Sequence, residues 1–193
     1  MTKPKGNARS AILQAAEKLV CERGRTRVTI EQVAQTANSA KGLVHYHFKT
    51  KKGLLAAVAE RIAQERSERW SELLKAENPS EAIDATWSHL TAESTSGVTR
   101  AWLSLLGPES PVADHMVRKL RGDFVSRLTD ALVAMLETGM GLRPTIPNEE
   151  IGWLLASVID GMTFELVSGT DPDELRGAYA AAWVGILALT DSL

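Results

Sequence analysis

The chain is 193 residues long, 44% hydrophobic and 24% charged, with a net charge of −2, which is ample apolar material for a core without covalent staples. One cysteine, Cys21, excludes an internal disulfide and a multi-cysteine metal site, and its place in an apolar helical pattern marks it as a packed thiol. No uninterrupted apolar run approaches the roughly 18 residues of a membrane span, and the basic opening MTKPKGNARS lacks the apolar stretch of a signal peptide, so a cytoplasmic chain with no membrane partner is expected.

Residues 9–23 place Ile12, Leu13, Ala16, Leu19 and Val20 on one face, and Gly24 suits the C-terminal cap of that first helix. Thr29 with Gln32 three residues on forms a capping box, so a second helix begins near Ile30 and carries Val33, Ala34 and Ala37 at helical spacing. Asn38 tolerates left-handed backbone angles and breaks it. A third helix, about 40–47, follows at once. Gly42 in its first turn costs about 1 kcal/mol against Ala, and so short a helix is hard to form alone. Close approach of the backbone to a phosphate or a base edge is a physical reason for the missing side chain. Two short helices across a tight turn, ending in an aromatic, His- and Lys-rich surface, have the layout of a helix-turn-helix DNA reader.

Thr50 caps a long fourth helix running through Leu54, Leu55, Val58 and Ile62 to about Lys75, with Asn78-Pro79 as its stop. Glu60, Arg61, Glu65, Arg66, Glu68, Arg69 and Glu72 should give it a mostly solvated charged face. Five helical segments follow. They are 80–93; 98–106, closing at Gly107-Pro108; a long helix opened by Pro111 and carrying Val117, Leu120, Phe124, Leu128, Leu132, Met135 and Leu136; one capped by Asn148; and one begun by Asp171-Pro172-Asp173-Glu174 and ending near Thr190. Residues 139–147 read as a loop. No strand alternation is evident, so the fold class is all-α, with about nine helices.

Charge is divided along the chain. Residues 1–53 carry eleven Lys and Arg against three Glu, a net of +8, and residues 54–193 carry eleven against twenty-one acids, a net of −10. The basic end coincides with the helix-turn-helix, which points to a polyanion partner for that part. In the last two helices, Gly152, Gly161, Gly177, Ala178, Ala180, Ala181, Ala182 and Gly185 permit close backbone approach. Trp153, Trp183, Leu187 and Leu189 add apolar surface around more of the circumference than one core needs. A two-fold homodimer through these helices is expected.

The stretch from Thr29 to Leu55, TIEQVAQTANSAKGLVHYHFKTKKGLL, resembles the signature of the TetR family of bacterial transcriptional regulators, the likeness covering about residues 9–55. The resemblance implies an N-terminal three-helix helix-turn-helix domain at 1–53 and a helical effector-binding and dimerisation domain at 54–193. It also implies repression of a promoter by a dimer that releases DNA when a small molecule binds. This chain departs from the family pattern by Asn38-Ser39-Ala40 before the recognition helix, with Ser39 as a possible cap, and by Leu43 and His45 where threonine and tyrosine are frequent.

On this reading Thr29, Tyr46 and Lys51 meet phosphates, Ser39, Gly42 and His47 are further DNA-binding residues, with His47 equally suited to packing, and Phe48 packs inward. Lys41 donates to guanine O6 and N7, Leu43 meets a thymine methyl, and His45 donates to an acceptor or a phosphate. Trp87, His89, Trp102, Met116, Phe124, Asp160 and Phe164, with Arg100 and Met162, are candidates for an apolar effector cavity with a few polar groups. Catalysis, a cofactor and a bound metal are not expected. His45 and His47 point about 200° apart on a helix, and no Gly-rich phosphate loop or paired nucleophile and base is present. The alternative is a helical ligand-binding or interaction module without DNA-reading activity, against which the basic end argues.

Overall fold

A computed structural model describes residues 5–75, 78–107 and 110–193. Among these, nine α-helices run in the order α1 (Lys5–Arg23), α2 (Ile30–Thr36), α3 (Lys41–Phe48), α4 (Lys51–Leu74), α5 (Pro79–Ser96), α6 (Val98–Leu106), α7 (Asp114–Ala134), α8 (Asn148–Ser168) and α9 (Pro172–Leu187). A π-helical turn, Met135–Gly139, extends α7, and two three-residue strands, β1 (Leu142–Pro144) and β2 (Thr190–Ser192), pair antiparallel. The chain divides into two compact units, one of residues up to Ala63 with Gly97–Leu120, the other of Gln64–Ser96 with Arg121–Leu193.

The first unit is held by Ile12, Ala16 and Val20 of α1, Val33 of α2, Val44 of α3 and Val58 of α4, all essentially sealed from solvent, with Trp102 and Leu105 of α6 buried as well. Gly24 ends α1 as expected, at φ +77° with its N–H on the Val20 carbonyl. Gly97, at φ +83°, brings its backbone against the Cys21 carbonyl, an approach that leaves no room for a Cβ.

In the second unit, Trp70 and Leu74 of α4, Leu90 of α5, Phe124, Leu128 and Leu132 of α7, Leu155 and Ile159 of α8, and Tyr179, Trp183 and Ile186 of α9 are buried. Two polar groups interrupt this core with their partners in place. The Tyr179 hydroxyl lies 2.7 Å from Thr86 Oγ1, and burial raises its pKa above the usual value. Arg66, expected on the solvated face of α4, is instead buried. Its Nε donates to both Glu93 carboxylate oxygens at 3.0 and 3.1 Å, and its guanidinium lies 5.5 Å from the Phe124 ring centre. A charge pattern cannot distinguish one arginine on a helix from its neighbours. The neutralising Glu93 lies 27 residues away and makes the burial tolerable.

Helix boundaries differ from expectation where a side chain or a neighbouring strand intervenes. α7 begins at Asp114, after Pro111, because Ser110 Oγ accepts from the Val112 N–H and the first helical bonds run to the Ala113 carbonyl. Asn78 opens α5 by accepting from the Ser80 N–H at 2.9 Å, α4 having already ended at Leu74. Pro108 lies outside the described residues, and Gly107 closes α6 on the Leu103 carbonyl. Asn148 is the first residue of α8, Pro147 holds the cap position, and no side chain caps it. The expected loop 139–147 contains β1, and its partner β2 stops α9 at Leu187. Three-residue strands are too short for alternation to reveal. Asp171 caps α9 as expected, through the Asp173 N–H.

Two consequences are measurable. A methyl at Gly152 would lie within 2.8 Å of Thr129 Cβ, a buried side chain hydrogen-bonded to the Val125 carbonyl, so Gly152→Ala is expected to cost about 1–3 kcal/mol, read as a lower urea midpoint. His89 packs on Trp70, and its pKa lies below the ordinary 6.5, first through burial and then despite the attraction of Glu93. The folded state therefore resists protonation while the unfolded chain gains a proton as pH falls through about 6.5, and stability declines on that side. His89→Gln should flatten the loss of stability between about pH 7 and pH 5 relative to wild type in urea titrations.

Candidate nucleic-acid interface

The reading head is assembled by local bonds before tertiary contacts act on it. Thr29, in extended backbone, accepts the Gln32 N–H at 3.2 Å, and the Gln32 side chain accepts the Thr29 N–H at 3.0 Å, completing the capping box. Asn38 turns the chain at φ 48°, and the Ser39 N–H returns to the Ala34 carbonyl at 2.9 Å. Ser39 is not the cap of α3. Ala40 holds that position in extended backbone and no side chain caps the helix, because the hydroxyl lies one residue too early. An uncapped helix start keeps its first-turn N–H groups available to an anion.

The eight residues of α3 are oriented by two buried side chains, Val44 at 0% and Phe48 at 6% exposure. Phe48 also lies under the Arg9 guanidinium, 5.3 Å from its ring centre, in agreement with a packing role. Lys41, Gly42, His45 and Tyr46 are all exposed, with Tyr46 at 59%, and Gly42 and Tyr46 lie farthest around the helix from Val44 and Phe48. Leu43 and His47 lie half-buried on the flanks, and His47 meets the Tyr46 ring edge-on at 5.2 Å. A Cβ on Gly42 would meet no atom within 4 Å. Nothing inside the chain requires glycine there, which is consistent with a backbone approached from outside.

Three of the expected contact residues have partners that sequence reasoning missed. His45 Nδ1 lies 3.3 Å from the Lys49 carbonyl, an atom that only accepts. Lys51 Nζ donates to the Thr26 carbonyl at 3.4 Å. Lys41 Nζ forms an ion pair with Glu31 on α2, and this pairing, first through its hydrogen bond, holds the Glu31 carboxyl below its usual value of 4.5. The partners of Lys51 and Lys41 lie in other segments, which periodicity along one helix does not register. Thr50 Oγ1 accepts the Gly53 N–H at 3.0 Å and starts α4 just past the reading helix, as expected.

The proposed effector residues divide between the two units. Trp102 and Met116 belong to the first unit, while Trp87, His89, Phe124, Asp160 and Phe164 belong to the second. Trp102 and Phe124 are sealed core residues, Asp160 is paired with Arg121, and Trp87 packs on the Tyr179 ring at 5.0 Å. Phe164 is 60% exposed, which does not suit a cavity wall. A groove of about 510 Å³ in the second unit is lined by other residues, among them Val125, Thr129, Asp130, Glu137, Glu149 and Trp153.

Comparison with known proteins agrees with this geometry. Residues 12–58 match the model of the family described as bacterial regulatory proteins, tetR family. The chain is 30% identical over 173 residues to the HTH-type transcriptional repressor Rv3405c of Mycobacterium tuberculosis, covering 87% of this chain and 80% of the relative. A solved transcriptional regulator from Rhodococcus sp. Rha1 shares the fold at a TM-score of 0.74 and 22% identity, over 96% of this chain and 98% of its own. The SmeT–triclosan complex does so at a TM-score of 0.65 and 19% identity, over 95% of this chain and 91% of that one. With the capped α2, the left-handed turn and the outward face of α3 in place, and a relative at this identity over most of its length, the chain belongs to the tetR family of bacterial regulatory proteins.

Proposed function

We propose that this transcriptional regulator acts as a two-fold dimer repressing a promoter, reading operator bases with α3 and leaving DNA when a small molecule binds. The single observation that carries the DNA reading is the exposure of Lys41, Gly42, His45 and Tyr46 on a helix held by the buried Val44 and Phe48. Reading lies within residues 1–53, whose net charge is +8. Lys41, Leu43 and His45 address base edges. Thr29, Gly42, Tyr46 and Lys51 fix the register on phosphates, and Ser39 and His47 flank them. Repression is supported by the named function of Rv3405c, and release by a small molecule is supported by SmeT, solved with triclosan.

Residues 54–193 carry effector binding and dimerisation in this reading. α8 is long and apolar enough by length and composition to cross a membrane, with a mean hydropathy of 1.4 over its best window, of which 39% is buried. Its Asp160 pairs with Arg121 and its inner face packs in the second unit, as in a soluble core helix. The outer face leaves Trp153 48%, Leu154 37% and Phe164 60% exposed, with Val184 of α9 at 67%. A second copy is the occupant that satisfies such a surplus in a two-fold assembly. Trp183, expected on this outer surface, is buried and belongs to the core. Trp87, His89 and Asp160, half-buried in the second unit, are the remaining polar or aromatic candidates near an effector.

A gel shift with the DNA upstream of the gene, repeated with candidate compounds, tests the function; no retarded band on that DNA would contradict it. Lys51→Ala should weaken all duplexes similarly and lower the salt slope by about 1, whereas Lys41→Ala should cost about 1–3 kcal/mol unevenly across sequences. Equal losses on cognate and random duplexes for both variants would overturn the division of roles. Phe164→Glu should convert a dimer into a monomer in light scattering and weaken operator binding; a wild-type chain that is monomeric at all concentrations would contradict the assembly.

A further inference from the structure

The exposed face of the reading head includes an acid as well as bases. Lys41 Nζ donates to Glu31 Oε1, ten residues earlier in the first turn of α2, and the two side chains are 55% and 62% exposed. Lys41 supplies the largest share of what keeps the Glu31 carboxyl below its ordinary value, and His45 adds to it. The start of α2 favours a negative charge there as well. The carboxylate is therefore ionised through the neutral range, beside the two side chains of α3 best placed to address bases.

We propose that Glu31 is a specificity-determining residue, holding Lys41 as a charge-neutral pair so that this lysine reads base edges and adds little to general attraction for the DNA backbone. The proposal rests on α3 being the DNA-reading helix. A free ammonium that neutralises a phosphate releases a counterion and gains affinity for any sequence. A lysine already paired with a carboxylate gains little in that way, because one anion is exchanged for another and Glu31 is left facing the duplex. The pair keeps its hydrogen-bonding capacity. An ammonium has three N–H donors, and with one on Glu31 two remain for guanine O6 and N7. The carboxylate still has lone pairs that can accept from a cytosine N4 amine. Exposed ion pairs contribute little to folding, so the role assigned to Glu31 lies in recognition and not in holding the head together.

The test uses the full chain and two duplexes of equal length, the tightest binder selected from a random-sequence library and a scrambled version, measured by fluorescence anisotropy between 50 and 200 mM salt. Glu31→Gln is expected to tighten binding to the scrambled duplex by about three- to tenfold and to steepen its salt slope by about 1, while the selected duplex changes less. The ratio of the two affinities therefore falls. In a Lys41→Met background the same substitution should tighten both duplexes alike and leave their ratio unchanged, and Glu22→Gln, which removes a carboxylate paired with Lys18 on α1, serves as the charge control. An unchanged ratio, an equal gain from Glu22→Gln, or a fall in the ratio that persists with Lys41→Met would overturn the proposal. A wild-type chain that selects no duplex at all would overturn the DNA-reading assignment together with it, and is distinguished by that first measurement.

Discussion

Burial of Val44 and Phe48 is the constraint on which the reading head depends. An eight-residue helix without a side-chain cap has little reason to persist alone, and Gly42 lowers its propensity further. Two side chains in the core of the first unit hold it, while Lys41, Gly42, His45 and Tyr46 remain exposed. The capping box at Thr29 and the left-handed Asn38 set where α3 starts, and Thr50 begins α4 directly after it. Function in this unit follows from making a weak helix rigid through its inner face.

The second unit is organised differently. Its core accepts a buried Arg66–Glu93 pair and a Tyr179–Thr86 hydrogen bond, both with their partners in place, so the cost of removing these groups from water is offset locally. Its outer surface has the opposite imbalance, since α8 and α9 expose Trp153, Leu154, Phe164 and Val184 without partners of their own. Polar groups inside and apolar groups outside are both departures from the simplest globular pattern. The first is met within the chain, and the second is consistent with a chain that completes itself by pairing.

Local rules made much of this legible in the sequence. Capping boxes, left-handed turn residues and helical spacing act within a few residues, and they located α1 to α4, the turn at Asn38 and the start of α9. Of the three residues expected to address base edges, Lys41 and His45 are exposed and Leu43 is half-buried. What spacing could not supply were relations between distant segments. Arg66 looked like any other charge on α4 until Glu93 was packed against it, and β1 and β2 are too short to recognise without each other. The effector candidates were chosen without that information. Aromatic residues at helical spacing fill cores as readily as they line cavities, and only the packed structure separates the sealed Phe124 from the exposed Phe164. The pairing of Lys41 with Glu31 is of this kind as well, joining two helices across the turn.

The central claim is that α3 enters the wide groove of duplex DNA, and methylation interference addresses it directly. With a duplex selected by the protein, methylation of guanine N7, which projects into the major groove, should block binding at positions grouped in two symmetry-related half-sites. Methylation of adenine N3 in the minor groove should have no effect there. Interference confined to the minor groove, or absent from both, would contradict the account.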